Sequence, residues 1–252
     1  MGKIIAITAG KGGSGKTTLT ALLGAALAAQ GKKVCLVDGC VGMRGLDMAL
    51  HVQDKVVYDL YDLCEELCSM EQALLRQDQP ALHMIAAPQL EVTEEMQGAK
   101  LQKCLERLKK RFDYVLLDTP GVSAPFTMAL CSQADEIILV TIPGNAAARN
   151  AERAAAILRE ATDAPLWLLY NCYTGSGKQK SAPDAEAAYL DIPLLGVIPL
   201  HESMFFTAVL EDKTPENYPE KMRSAALEAA KRLNGENIPM KNYGARRFPW
   251  HS

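Results

Sequence analysis

Short apolar runs alternate with helical patterns along this chain of 252 residues. Most of these runs are continuously apolar, which indicates strands that are buried on both faces of a sheet. Strands that alternate in this way with helices predict a mostly parallel sheet with helices on both faces. The predicted strands are residues 3–8, 34–38, 82–87, 113–118, 136–142, 166–171 and 196–200. The predicted helices are residues 19–30, 99–111, 145–161 and 217–233.

The same alternation indicates the domain organisation. It continues over most of the chain without an internal repeat and without a linker rich in Pro, Gly or Ser. We therefore predict a single α/β domain at residues 1–235 and a flexible tail at 236–252. Three residues of the tail prevent a continuous helix, namely Pro239, Gly244 and Pro249. The basic and aromatic side chains of the tail belong to Lys241, Arg246, Arg247, Phe248 and Trp250.

Composition restricts the functional classes. The formal net charge of −3 gives no general attraction for nucleic acid. Seven cysteines at irregular spacing, with no Cys-x-x-Cys, predict reduced and mostly buried thiols in a cytoplasmic protein. No apolar run is long enough to span a bilayer. The tail nevertheless carries side chains that suit peripheral contact with the inner face of an anionic membrane.

A glycine-rich loop lies between the first predicted strand and the first predicted helix. Residues 10–18 read GKGGSGKTT, a phosphate-binding loop in the strand–loop–helix context that this motif requires. Backbone N–H groups of such a loop and of the helix N-terminus surround a polyphosphate. The sequence therefore predicts a P-loop NTPase domain that binds a nucleotide. The predicted contacts come from Gly10, Lys11, Gly12, Gly13, Ser14, Gly15, Lys16, Thr17 and Thr18.

Further candidate residues end the predicted strands, because ligands of a parallel sheet bind beyond the carboxyl ends of its strands. Asp118 follows four apolar strand residues. This pattern is typical of a carboxylate that holds Mg²⁺ through water, while the Thr17 hydroxyl ligates the ion directly. Asn171 ends another predicted strand, and its amide can both donate to and accept from an adenine edge. Pro199 lies at the last strand, where we expect it to flank the base.

These motifs resemble those of the MinD/ParA family of deviant Walker A ATPases, and of its MinD branch in particular. The additional lysine of the loop, Lys11, is the hallmark of that family. The resemblance also covers Asp38 and residues 42–47, 56–60, 82–89, 118–121 and 195–199. It implies an ATPase that binds ATP and Mg²⁺, with a role in placing the division site or in another form of spatial organisation.

The resemblance further implies a dimeric switch. In this family ATP closes a face-to-face dimer, in which the signature lysine of each subunit reaches the phosphates bound by the other. Lys11 would therefore act across the dimer, as an arginine finger does. A second cation beside a polyphosphate offsets charge repulsion and makes dimerisation depend on ATP. We expect an ATP-dependent homodimer and a protein that regulates its ATPase state.

This chain departs from the family at the position that orients the attacking water. Family members usually carry a second acid two positions after Asp38, where this chain has Cys40. A mostly neutral thiol accepts hydrogen bonds weakly and is a poor substitute for a carboxylate. We therefore predict slow hydrolysis and assign Asp38 to the outer shell of the metal ion. The candidate catalytic positions are Lys11, Lys16, Asp38 and Cys40.

Two further departures affect the predicted dimer, since Gly144 and Asn150 stand where the family often has acids. Three functional classes remain open. The first is an ATPase switch, and the second is a regulator that senses ATP without hydrolysing it. The third is a nucleotide-dependent metal or redox carrier, for which cysteines are expected after Asp118, and Cys131 is close to that segment.

Overall fold

A computed structural model of the chain describes residues 2–76, 81–89, 96–175, 183–206 and 214–240. Within these ranges the strands are β1 (Lys3–Ala9), β2 (Val34–Asp38), β3 (Leu75–Arg76), β4 (Leu82–Ile85), β5 (Tyr114–Asp118), β6 (Glu136–Thr141), β7 (Leu166–Tyr173) and β8 (Leu194–Pro199). They form one sheet in the order β3-β4-β2-β5-β1-β6-β7-β8. Neighbouring strands are parallel, except that β3 is antiparallel to β4 at the edge.

Helices cover both faces of this sheet. In the described ranges they are α1 (Lys16–Ala28), α2 (Gly45–Ala49), α3 (Leu60–Cys64), α4 (Met70–Ala73), α5 (Leu101–Arg111), α6 (Pro125–Cys131), α7 (Asn145–Ala161), α8 (Pro183–Leu190), α9 (Ser203–Phe206) and α10 (Glu220–Leu233). Residues of α1 and α10 share a hydrophobic cluster with Ile5 and Ile7 of β1. Residues of α5, α6, α7 and α8 share another with Ile4 and Ala6. The predicted α/β architecture is therefore confirmed.

The central strand explains why its sequence is continuously apolar. β1 lies between β5 and β6, so neither of its edges is free. Successive side chains of a strand point to opposite faces, and both faces are covered here. Ile5, Ala6 and Ile7 are accordingly all 0% exposed. The loop that follows β1 emerges beside the carboxyl ends of β5 and β6.

The first helix differs from its prediction at both ends. The prediction was 19–30, whereas α1 begins at Lys16 and ends at Ala28. Gly15 precedes the helix with φ of 87°, a left-handed conformation that favours glycine. The lysine and threonines of the glycine-rich loop therefore form the first turn. Gly31, with φ of 78°, turns the chain away after the helix.

Several short helices were not predicted, although two of them have readable start signals. α3 begins with a capping box between Asp59 and Asp62, and α4 begins with one between Ser69 and Gln72. Helices of four or five residues are too short to show a hydrophobic period. Their capping residues are therefore the better guide.

Arg232 connects the chain after α10 to the sheet. Its guanidinium donates hydrogen bonds to the carbonyls of Leu195, Ile238 and Pro239, at 2.8, 2.8 and 3.1 Å. The domain boundary at 235 stays a prediction. The tail residues Lys241, Gly244, Arg246, Arg247, Phe248, Pro249 and Trp250 lie outside the described residues. Among the helices of the described ranges, none combines the length and apolarity needed to cross a bilayer.

Candidate functional site at the carboxyl ends of the strands

The glycine-rich loop joins β1 to α1 and is shaped by its glycines. Gly13 and Gly15 have φ of 76° and 87°, which L side chains rarely adopt. A Cβ atom at Gly10 would lie 2.2 Å from the carbonyl oxygen of Asn150, so α7 packs directly on the loop. A Cβ at Gly12 or Gly13 would meet nothing within 4 Å. The loop is thus fixed by packing at its start and open at its middle.

Asn171 supports this loop from within β7, which continues to Tyr173, two residues beyond the predicted end of the strand. Its Nδ2 atom donates to the carbonyl oxygen of Ser14 at 2.9 Å, and the residue is only 7% exposed. The hydroxyl of Ser14 is buried without a hydrogen-bond partner among the described residues. An orphaned donor and a cradle of glycines fit a phosphate group. The contact between Asn171 and adenine stays a prediction, as does that of Pro199, which pairs with Tyr173 at the end of β8.

The two lysines of the loop differ in their surroundings. Lys16 is 8% exposed and lies at the start of α1. Lys11 is exposed and makes no hydrogen bond or ion pair with the described part of its own chain. Both Lys16 and Thr17 line a cleft of about 620 Å³, which also includes Cys40, Met43 and Gly121. The cleft is large enough for a ligand of nucleotide size.

Two carboxylates end adjacent strands below the loop. Asp38 of β2 and Asp118 of β5 are direct partners in the parallel register, and both are 0% exposed. The Thr17 hydroxyl donates to Oδ2 of Asp118 at 2.6 Å. Asp118 therefore meets the residue predicted to share a metal ion with it.

Thr20 also reaches Asp118, a contact that sequence reasoning missed. Its hydroxyl lies 3.4 Å from Oδ1 of Asp118 and 3.0 Å from the carbonyl oxygen of Lys16. Thr17 and Thr20 are three residues apart, so they lie on the same face of α1. This three-residue spacing is the sequence signal from which the second contact with Asp118 could have been predicted.

Asp38 organises the loop that follows β2. Its two carboxylate oxygens accept hydrogen bonds from the backbone N–H groups of Cys40 and Leu46, at 2.9 and 3.0 Å. Arg44, with φ of 45°, forms a salt bridge of 2.5 Å with the buried Asp47. The loop at residues 39–46 is therefore held beside the cleft by carboxylates at both of its ends.

Cys40 projects from this loop toward the carboxylates. Its Sγ atom lies 4.0 Å from Oδ2 of Asp118. One potential ligand atom from each of Asp38, Cys40 and Asp118 lies within 4.8 Å of the others. Cys40 thus occupies the place beside the cleft where the resemblance expects an acid.

Burial governs the protonation of these groups. Burial and, to a smaller extent, the negative charge of Asp38 raise the pKa of Asp118 to about 7, against the effect of the Thr17 hydrogen bond. Burial also raises the pKa of Asp38 to about 6, against the backbone hydrogen bonds from Leu46 and Cys40. Burial, together with the charges of Asp118 and Asp38, raises the pKa of the Cys40 thiol. A bound cation would favour the ionised forms of all three groups.

The remaining predicted positions lie around α7. Gly144 precedes this helix with φ of 126°, and its replacement by an acid would strain the backbone. Asn150 contacts the loop through its backbone at Gly10. Cys131 of α6 is 0% exposed in the core, away from any surface that a carrier would need.

Comparison with known proteins agrees with this geometry. A family model described as an AAA domain matches residues 2–163. The septum site-determining protein MinD of Synechocystis sp. is 34% identical over 253 residues, covering 97% of this chain and 94% of that protein. A chain of the MinC:MinD cell division protein complex of Aquifex aeolicus superposes with a TM-score of 0.84 and 31% identity, covering 96% of this chain and 100% of that chain. The septum site-determining protein MinD of Pyrococcus horikoshii, solved with Mg-ADP, gives 0.79 and 30%, covering 93% and 96%.

Proposed function

Because this chain belongs to the MinD/ParA family of P-loop ATPases, we propose that it is an ATP-dependent dimerising switch that takes part in placing the division site. The contact between Thr17 and Asp118 carries the proposal, since it joins the phosphate cradle to the carboxylate that we expect to hold Mg²⁺ through water. The names of the relatives, septum site-determining proteins, support the cellular process.

The residues of the cleft fit a nucleotide with Mg²⁺. The Lys16 ammonium would pair with the phosphates, and the Thr17 hydroxyl would turn from Asp118 to ligate the metal ion. Asp118 would hold the ion through water, with Asp38 in its outer shell. The ion, when bound with the nucleotide, supplies charge neutralisation on the phosphates. Asn171 and Pro199 would flank the adenine from β7 and β8.

Lys11 would complete the site of a second copy. It is exposed, its backbone lies beside Gly121 of the cleft, and it has no ion-pair partner among the described residues of its own chain. Met43 lines the same cleft and is 78% exposed, which suits a face that another copy covers. A cation that reaches across such an interface would make dimerisation depend on the bound phosphates.

Hydrolysis would be slow because of Cys40. A water in line with the terminal phosphate needs an acceptor that orients it. The nearby Asp38 directs both of its oxygens to backbone N–H groups, and the thiol beside it is a weak acceptor. A partner protein would then accelerate the reaction or read the ATP state. The tail at 236–252, of which residues 241–252 lie outside the described residues, would supply peripheral contact with a membrane.

Molecular mass in solution tests this function. We expect a monomer with Mg-ADP and a dimer with Mg-ATP, measured by light scattering after size-exclusion chromatography. A nucleotide-binding measurement with a fluorescent ATP analogue runs in parallel. Binding without any change of mass would contradict the switch while leaving ATP binding intact.

A second candidate function is a regulator that binds ATP but does not hydrolyse it, and the thiol at position 40 is the observation that favours it. The same mass measurement separates the two. A dimer that persists after prolonged incubation with Mg-ATP, with no phosphate release, favours the regulator. A dimer that decays as phosphate appears favours the ATPase switch.

A further inference from the structure

Three side chains at the base of the cleft form a cluster suited to a metal ion. Within the ranges described by the structure, Asp38, Cys40 and Asp118 are the one group of at least three His, Cys, Asp or Glu residues whose ligand atoms lie mutually within 4.8 Å. The cluster is preorganised, because two of its members are register partners on β2 and β5. The third is fixed by the hydrogen bond from its own backbone N–H to Asp38.

The distances suit a small tetrahedral site. The Sγ atom of Cys40 lies 4.0 Å from Oδ2 of Asp118. In a tetrahedral zinc site, bond lengths of about 2.3 Å to sulfur and about 2.0 Å to oxygen put these atoms roughly 3.5 Å apart. A small rotation of the Cys40 side chain closes the difference. The cysteine also lines the open cleft, which gives a metal ion a path of entry.

The ligand set selects a particular class of cation. Mg²⁺ prefers an octahedron of oxygen atoms, whereas a thiolate prefers borderline or soft cations such as Zn²⁺ and Co²⁺. Each oxygen of Asp38 accepts one backbone N–H and keeps a second lone pair. Oδ2 of Asp118 accepts the Thr17 hydroxyl and faces the Cys40 thiol, and loss of the thiol proton would leave the second lone pair of this oxygen for the cation. The hydroxyl of Thr17, at 2.6 Å from Asp118, is available as a fourth ligand.

We propose that Asp38, Cys40 and Asp118 bind one thiophilic divalent cation of the Zn²⁺ class in the nucleotide-free protein, with the thiolate of Cys40 as a direct ligand. Binding releases the thiol proton to solvent and involves no redox change. The inference does not depend on ATP turnover. It does imply competition, because the cation occupies the position where Thr17 and Asp118 would hold Mg²⁺ with the nucleotide.

Cobalt is the probe that tests this site. The full-length protein, freed of metal by chelation and kept reduced, is titrated with Co²⁺ in the absence of nucleotide. We expect a near-ultraviolet charge-transfer band from thiolate to Co²⁺ that saturates at one equivalent and disappears on addition of one equivalent of Zn²⁺. Mg²⁺ alone should leave the band unchanged, since it competes poorly for a thiolate.

Variants assign the band to Cys40. Both Cys40→Ser and Cys40→Ala should abolish it, and Asp38→Asn should weaken Co²⁺ binding at least about tenfold, in the range seen when the support of a metal site is removed. The matched control is Cys68→Ser, which removes a half-buried thiol outside the site and should retain the band. No band in the wild type, or an equal band in folded Cys40→Ser and Cys40→Ala, overturns the proposal.

Discussion

The hydroxyl of Thr17 donates a hydrogen bond of 2.6 Å to the carboxylate of Asp118, across 101 residues of sequence. Thr17 lies in the first turn of α1, and Asp118 is the last residue of β5. The contact therefore requires that the P-loop and the strand end be placed together by the sheet. The hydroxyl and the carboxylate are in direct contact. A metal ion that binds the hydroxyl directly and the carboxylate through water would have to move the two groups apart.

Removal of the Thr17 hydroxyl should weaken nucleotide binding that depends on Mg²⁺. We expect Thr17→Ala to lower Mg-ATP affinity by about tenfold or more, because a direct ligand of the ion is lost. Thr17→Ser keeps the hydroxyl and should bind nearly as well as the wild type. Titration of a fluorescent ATP analogue, with Mg²⁺ and with EDTA, measures both. Equal Mg²⁺ dependence in all three proteins would show that Thr17 is not a ligand.

Lys11 should matter for association rather than for binding within one subunit. We expect Lys11→Ala to bind ATP with an affinity within about threefold of the wild type, because Lys16 and the loop backbone remain. The variant should stay monomeric with Mg-ATP, since the cation that reaches the phosphates of a second copy is gone. Lys110→Ala, which removes an exposed lysine of α5, is the control. Dimerisation of Lys11→Ala at wild-type concentrations would rule out the role across the interface.

A carboxylate at position 40 should restore hydrolysis. We expect Cys40→Asp to turn over ATP faster than the wild type, by about 10²- to 10⁴-fold, the usual range for general acid–base groups. Cys40→Asn has a similar size but no charge, so it should show no such gain. Steady-state phosphate release is the measurement. If the wild type and Cys40→Asp hydrolyse alike, Cys40 does not stand at a lost catalytic position.

The long elements and the phosphate loop were predictable from the sequence because their signals are local. Residues 34–38 and 145–161 were predicted with both bounds that β2 and α7 have. A continuous apolar run and a long helical pattern each specify their own ends. The loop at residues 10–18 was predictable for the same reason, since its glycines and lysines are adjacent in sequence.

Contacts between distant residues were not predictable in this way. The hydrogen bond from Nδ2 of Asn171 to Ser14, 157 residues earlier in the chain, was not predicted, while the contact of this amide with an adenine stays a prediction. The hydrogen bonds that both oxygens of Asp38 accept from backbone N–H groups of the following loop were not predicted either, and the place of Asp38 near a metal ion stays a prediction. The sequence shows that the strand ends meet at one edge of the sheet. The direction of each side chain there depends on packing between residues that are far apart in the sequence, and a local sequence pattern does not specify that packing.

The buried Glu186 should make stability depend on pH. It lies on α8 at 6% exposure and accepts a hydrogen bond of 2.9 Å from the Thr141 hydroxyl, while its Oε2 atom has no partner among the described residues. Burial raises the pKa of this carboxyl above its ordinary value of 4.5, against the effect of the Thr141 hydrogen bond. The folded state therefore binds the proton more tightly than the unfolded state.

The sign of the effect follows from that difference. Stability from protonated Glu186 is fully present below its unfolded pKa and declines as the pH rises from there through the folded pKa. Glu186→Gln cannot ionise and keeps an acceptor for Thr141, so its free energy of unfolding should fall less than that of the wild type between pH 4 and pH 8. Urea denaturation at several pH values measures this, with Glu160→Gln, an exposed position on α7, as the control. Parallel curves for wild type and Glu186→Gln would mean that the carboxyl is solvated by water and does not bind a proton preferentially in the fold.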